Sequence, residues 1–195
     1  MQNKTYIYIL SLCAALVLSL FAGQEAKAQQ VGVKTNALMW ALGTPNAGCE
    51  IVLGEHSSVD ISAFGHYNPY GLNSKVIAFQ PEYRYWFNGR PMTREYIGVS
   101  AMFANYDMKM RNRSVGGKYV YDGNAISLGI TGGYDFILSK RWRLDLCGGF
   151  SFLFFKQKQY YETDDYYEDM KVPANSWGYK IFPAKLGVSF TYIIK

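Results

Sequence analysis

Beyond its first 28 residues the chain contains no run of about 18 apolar residues and no stretch of sustained helical periodicity. That excludes a helical membrane anchor in the mature part and argues against a helical bundle. Charged residues are scarce, at 18% of the sequence, and the formal charge of +5 is spread thinly. Its basic residues stand singly or in short groups, such as Arg111 with Arg113 or the stretch 140–143, so no nucleic-acid face is expected. Histidine is limited to His56 and His66, and no Cys/His cluster has zinc spacing, so no metal and no cofactor are expected.

What the chain does have is 17 Tyr, 12 Phe and 19 Gly, a mixture suited to strands with glycine kinks rather than to a helical globule. The N-terminus carries a different signal. Lys4 supplies a positive flank, residues 6–21 are nearly all apolar, and Ala26-Lys27-Ala28 is a small-x-small cleavage site. Residues 1–28 are therefore expected to be a cleaved signal peptide, leaving 29–195 as one domain. The mature chain keeps Cys49 and Cys147, on non-adjacent predicted strands and opposite faces, so no disulfide between them is expected.

From residue 31 onward the pattern is alternation with period two, in segments of about ten residues separated by turn chemistry. Eight segments are predicted: 31–40, 46–53, 58–67, 75–87, 95–108, 124–138, 141–156 and 179–194. The fourth is the clearest. Ile77, Phe79, Tyr83, Tyr85 and Phe87 share one face, while Gln80, Glu82 and Arg84 share the other. Eight such segments fit an all-β, eight-stranded antiparallel up-and-down transmembrane β-barrel with a side-chain-filled interior. Tight turns at 54–57 and 139–140 alternate with long connections at 111–123 and 157–178, the asymmetry of short periplasmic turns and longer outer loops. Trp40, Tyr67, Tyr85, Trp86, Trp142, Trp177 and Tyr192 fall near strand ends, where interfacial girdles sit.

Alternation collects Lys34, Glu50, Asp60, Glu82, Arg84, Asp135, Arg143, Asp145 and Lys185 on the inner face. Buried charges must pair, so Glu50, Asp60, Glu82, Arg84, Arg143, Asp145 and Lys185 are expected to form a structural salt-bridge network. The segment 157–178 holds Tyr160, Tyr161, Tyr166 and Tyr167 among carboxylates. Tyrosine gives large contact area at low entropic cost, which makes this loop the candidate surface contact for a protein or glycan.

Glu55-His56-x-Ser58 has the residue types of a serine hydrolase but lies in a turn predicted on the periplasmic side. His66 lies nearer the opposite side, without a following serine at the spacing shown by barrel enzymes that remove lipid A acyl chains. No catalytic residue is assigned.

Two resemblances sharpen the picture. Lys185-x-Gly187-x-x-Phe190-x-Tyr192 resembles the final-strand pattern read by barrel-assembly machinery, although the chain ends in Lys195 rather than an aromatic residue. Pro45-Asn46-x-Gly48-x-Glu50 and Gln80-Pro81-Glu82-x-Arg84-Tyr85-Trp86-Phe87 resemble a family of small Bacteroidetes outer-membrane barrels of unknown function, the domain of unknown function 3575 type. The resemblance implies a whole-chain barrel with no established catalytic residues, and some members resemble products encoded near fimbrial loci. The expectation is a monomeric, nonenzymatic outer-membrane protein of envelope structure or surface interaction, in contact with outer-membrane lipids. The alternatives are a lipid A-modifying barrel enzyme and a soluble lipocalin-like periplasmic carrier, which would place its apolar residues inside.

Overall fold

Alternation without helical periodicity is realised as strands that each pair with both neighbours. The computed structural model describes residues 30–111, 118–162 and 174–194. Among them, β1 (Val31–Asn36), β2 (Asn46–Val52), β3 (Ser57–Tyr67), β4 (Ser74–Trp86), β5 (Arg94–Arg111), β6 (Lys118–Ile137), β7 (Trp142–Glu162) and β8 (Ala174–Ile193) follow one another around a ring. Every adjacent pair is antiparallel, and β1 pairs with β8, from Gly32↔Ile193 to Asn36↔Ser189, so the barrel is closed. The expected eight-stranded up-and-down barrel is the observed fold.

Closure matters energetically because an open edge leaves a row of backbone donors and acceptors without partners. The start of β1, the end of β8 and the turns after β2, β4 and β6 lie at one end. There Leu53 and Gly54 donate their N–H groups to the Ser57 carbonyl, and Leu138 and Ser139 donate theirs to that of Trp142. The other end is uneven, because β5–β8 are 18 to 21 residues long while β1 and β2 have 6 and 7.

The predicted strand boundaries change at three places. The first strand, expected over 31–40, ends at Asn36, and α1 (Ala37–Ala41) follows. The Asn36 side chain accepts from the N–H groups of Leu38 and Met39, the geometry of a helix N-cap. It also serves the neighbouring strand, donating to the Leu186 carbonyl at 3.1 Å and accepting from the Val188 N–H at 3.3 Å. One side chain thus stands in for the strand that β8 loses at this level.

The second change concerns the long connections. Much of 111–123 and 157–178 is strand: Arg111 pairs with Lys118, Lys118 with Glu162, and Gln159 with Ala174. In sequence these stretches mix tyrosine with Lys, Asp, Gln and Glu and show no apolar alternation, so no strand signal marks them. Tyr160 and Tyr161 accordingly belong to β7, opposite Val120 and Tyr119, rather than to a loop. Tyr166 and Tyr167 lie outside the described residues, as does the predicted signal peptide.

The third is a β-bulge in β8. Gly148 pairs with Leu186 but Phe150 with Pro183, so Ala184 and Lys185 together oppose one residue of β7, and both are buried. A bulge re-aims side chains. Here it turns Lys185 into the lumen while Pro183, which has no N–H to donate, stays on the outside.

The two faces differ sharply. Glu50, Asp60, Glu82, Arg84 and Asp145 are each at most 2% exposed, whereas Ile77, Leu128, Ile130, Phe150, Phe152 and Leu186 on the outer face are 58% to 71% exposed. Trp86, expected among the strand-end aromatics, is fully buried instead. It follows Arg84 by two residues, and period two carries it inward with the charges.

Candidate functional site

The centre of the lumen is an ion cluster fed by six strands, β1 to β4, β7 and β8. Arg84 on β4 is its hub. One terminal nitrogen lies 3.0 Å from Glu50 Oε2 and 2.9 Å from Asp145 Oδ2. The other lies 3.0 Å from both Asp60 Oδ2 and Glu82 Oε2. The planar fork of a guanidinium matches such a set, which a single ammonium could not serve in the same way. Lys34 on β1 contacts Glu50 at 3.3 Å and Asp145 at 3.2 Å, and pairs closely with Asp60. Lys185, delivered by the bulge, reaches Glu82 at 2.7 Å and Asp60 at 3.3 Å.

Neutral groups complete the shell. Ser58 donates to Glu50 Oε1 at 2.6 Å and accepts from the Trp86 indole N–H at 2.8 Å. Tyr96 donates its hydroxyl to Asp145 Oδ1 at 2.9 Å, and its ring lies 4.2 Å beneath the Arg84 guanidinium and 4.7 Å from Trp86. Thr131 donates to Glu82 Oε1. This crowding requires glycine on β5: a Cβ at Gly98 would stand 2.5 Å from Thr131 Oγ1 and 2.8 Å from Glu82 Oε1.

Several contacts span the lumen rather than the wall. Arg84 on β4 and Lys34 on β1 both meet Asp145 on β7, and Gln80 on β4 donates to the Ala184 carbonyl on β8 at 2.6 Å. On the uneven side of the cluster a small cavity of about 20 Å³, lined by Asn36, Met39, Ser62, Phe64, Gln80 and Ser189 among others, has room for roughly one water.

Of the residues the sequence assigned to the network, Glu50, Asp60, Glu82, Arg84, Asp145 and Lys185 meet in this cluster. Lys34, placed on the inner face by alternation, is an equal member. Arg143 is not drawn in. It points inward nearer the tight-turn end, where it donates to the carbonyls of Met92, Ser139 and Trp142. Alternation fixes a side chain's face but not its height in the barrel, and height chose the partners of Arg143. Asp135 lies opposite Asp145 on the ladder, and its buried Oδ1 has no hydrogen-bond partner. Tyr96, Ser58, Trp86 and Thr131 were not assigned to the site. Their inward parity was readable, but their partners depend on strand register.

The candidate hydrolase residues are drawn apart. His56 Nδ1 lies 2.8 Å from the Trp86 carbonyl and its ring stacks on Tyr85, while Ser58 is committed to Glu50 inside the barrel. His66 bridges Thr44 and Ser74, at 3.1 and 3.2 Å, near the uneven end. Among the described residues no group of three His, Cys, Asp or Glu side chains could hold a metal ion.

The motifs Pro45–Glu50 and Gln80–Phe87 supply Glu50, Gln80, Glu82, Arg84 and Trp86, the centre of this interior. A family model described as "Protein of unknown function (DUF3575)" matches residues 12–194, which include the whole described barrel. The chain belongs to the DUF3575 family. This is the family to which those two motifs pointed, and within it the motifs have a physical reading as suppliers of the buried ion cluster. No curated protein and no solved structure matches the chain.

Proposed function

We propose that this DUF3575 chain is a nonenzymatic β-barrel of a Gram-negative outer membrane, acting in envelope structure or surface interaction as a monomer. The observation that carries the proposal is the inverted distribution of polarity. Charged side chains fill the barrel, and large apolar side chains cover its outside on every side from β4 to β8. Monomeric soluble proteins rarely expose contiguous apolar patches of more than a few hundred Å².

The belt has the right height. On β7 it runs from Trp142 to Phe154, about 40 Å along a strand rising ~3.3 Å per residue. At the ~40° tilt usual for such barrels this is about 30 Å, the thickness of a bilayer's hydrocarbon core. Above Phe154 the outward residues of β7 become Lys156 and Lys158. On this reading the tight turns face the periplasm, and the tall wall of β5–β8 stands outside the cell as the surface for contacts. Outer-membrane lipids surround the belt, and barrel-assembly machinery inserts it.

A lipocalin-like carrier would keep its apolar residues around a ligand, whereas here the lumen holds cross-barrel ion pairs. A hydrolase would need a carboxylate behind His66. Its Nδ1 instead meets the Thr44 hydroxyl, so the Thr44–His66–Ser74 set reads as a polar tie between neighbouring strands at the barrel rim.

Refolding the mature chain into phosphatidylcholine vesicles, followed by unheated electrophoresis, tests the proposal. We expect a compact band that shifts on boiling and co-floats with the vesicles. A chain that stays soluble and monomeric without lipid or detergent would contradict it.

A further inference from the structure

The outer belt is not uniform. Cross-strand partners define rows that run perpendicular to the strands, and in one of them Ile97, Gly132, Gly148 and Leu186 stand side by side. Two of these four positions carry no side chain, which leaves a notch at mid-height. A Cβ at Gly148 would meet nothing within 4 Å, so the space outside it is open. Directly above the notch lies an apolar groove of about 620 Å³, lined by Val99, Leu128, Ile130, Phe150, Phe152 and Ile181.

The rows above the groove supply a second, independent feature. Phe103, Ile126, Phe154 and Tyr179 form the top of the belt, and the next row is Asn105, Asn124, Lys156 and Trp177. Lys156 is exposed, as is Lys158 one row higher, where Asp122 is its cross-strand neighbour. Among the described residues neither lysine makes an ion pair. Lys156 stands six residues from Phe150, about 20 Å along the strand and about 15 Å in depth at a ~40° tilt. That is half the ~30 Å hydrocarbon core, one leaflet. Cation and groove are thus spaced as the headgroup and acyl chain of one lipid.

We propose that this face binds an anionic, phosphate-bearing lipid of the outer leaflet, its phosphate on Lys156 and Lys158 and one acyl chain in the groove above Gly148. The inference rests on the membrane reading and names one lipid class within it. A zwitterionic lipid would fill the groove but would gain little from the lysines, since basic side chains at a bilayer surface discriminate by net charge. A headgroup alone would leave the groove empty.

Native mass spectrometry of the detergent-solubilised full barrel, loaded with phosphatidylglycerol or with phosphatidylcholine of identical chains, provides the test. We expect preferential retention of phosphatidylglycerol, a roughly five-fold loss of that preference for each of Lys156→Gln and Lys158→Gln, and weaker retention of both lipids in Gly148→Leu. Gly148→Leu fills open space on the outside and lies away from the ion cluster, so a heat-shifting band serves as its folding control. Equal retention of the two lipids, or retention unaltered by Gly148→Leu, would overturn the inference while leaving the membrane reading in place. A dimer lost in Gly148→Leu would assign the groove to a second copy and overturn it too. Failure of the wild-type chain to enter phosphatidylcholine vesicles would remove both readings together.

Discussion

Replacing Arg84 by methionine is expected to cost at least about 3–5 kcal/mol and to abolish or strongly lower the heat-shifting folded form. The variant keeps much of the side-chain volume but removes the only guanidinium of the cluster. Glu50, Asp60, Glu82 and Asp145 would then share the two ammonium groups of Lys34 and Lys185 in a space that water barely enters. Attraction within a buried set offsets desolvation only while each charge is paired, so removing one partner is far more costly than replacing the whole set. Urea titration of the barrel in detergent should show the loss. Arg84→Lys should recover part of it, because one ammonium keeps the charge but cannot reach four carboxylates at once. Adding Asp145→Asn to Arg84→Met should be less than additive, as expected of groups in one network. A midpoint unchanged in Arg84→Met would mean that the cluster contributes nothing to the fold.

The second large effect is expected on the opposite face. Leu128 is 60% exposed, and its row neighbours are Ala101, Phe152 and Ile181. On a water-soluble protein, Leu128→Arg at so open a position would change stability by about 0.5 kcal/mol or less. In a lipid-facing belt, one outward position below its top row, the same substitution should cost roughly 1–3 kcal/mol, between the interfacial and midplane values for arginine on such a face. Refolding into vesicles across a urea series separates the two outcomes, because the exposure of the site is the same and only its solvent differs. Leu128→Arg at wild-type stability would place this face in water.

How much of this is legible in the sequence depends on which physical rule governs each element. Where one face is apolar and the other charged, as in 75–87, period two alone fixes both strand and facing, and Glu82 and Arg84 lie in the lumen as read. The tight turns at 54–57 and 139–140 were equally open to reading from their residue types. The end of β1 was not, because Ala37 to Leu42 continues an apolar run and only the contacts of Asn36 with α1 and β8 show why the strand stops. The bulge at Ala184 and Lys185 was hidden too, since neither residue breaks the pattern visibly. The extensions of β6 and β7 mix tyrosine with Lys, Asp, Gln and Glu and so leave no trace in hydrophobic periodicity.

The site itself was half visible. Inner-face charges could be named from alternation, but which of them meet depends on register and height, and these are set by pairings more than a hundred residues apart, such as Lys34 with Asp145. Arg143 shares their face and misses their level. Trp86 shows the same limit from the other side: position near a strand end suggested an interfacial aromatic, while parity with Arg84 put it at the centre, bonded to Ser58.

The most direct test of the whole account is a depth measurement with nitroxide labels, placed one at a time at Phe79, Leu128 and Phe190 of the vesicle-embedded barrel. Collisions with oxygen, which concentrates in acyl chains, should be frequent at all three sites, and collisions with a water-soluble nickel chelate rare. Frequent nickel collisions, or immobile labels shielded from both reagents, would mean that the apolar face does not meet lipid.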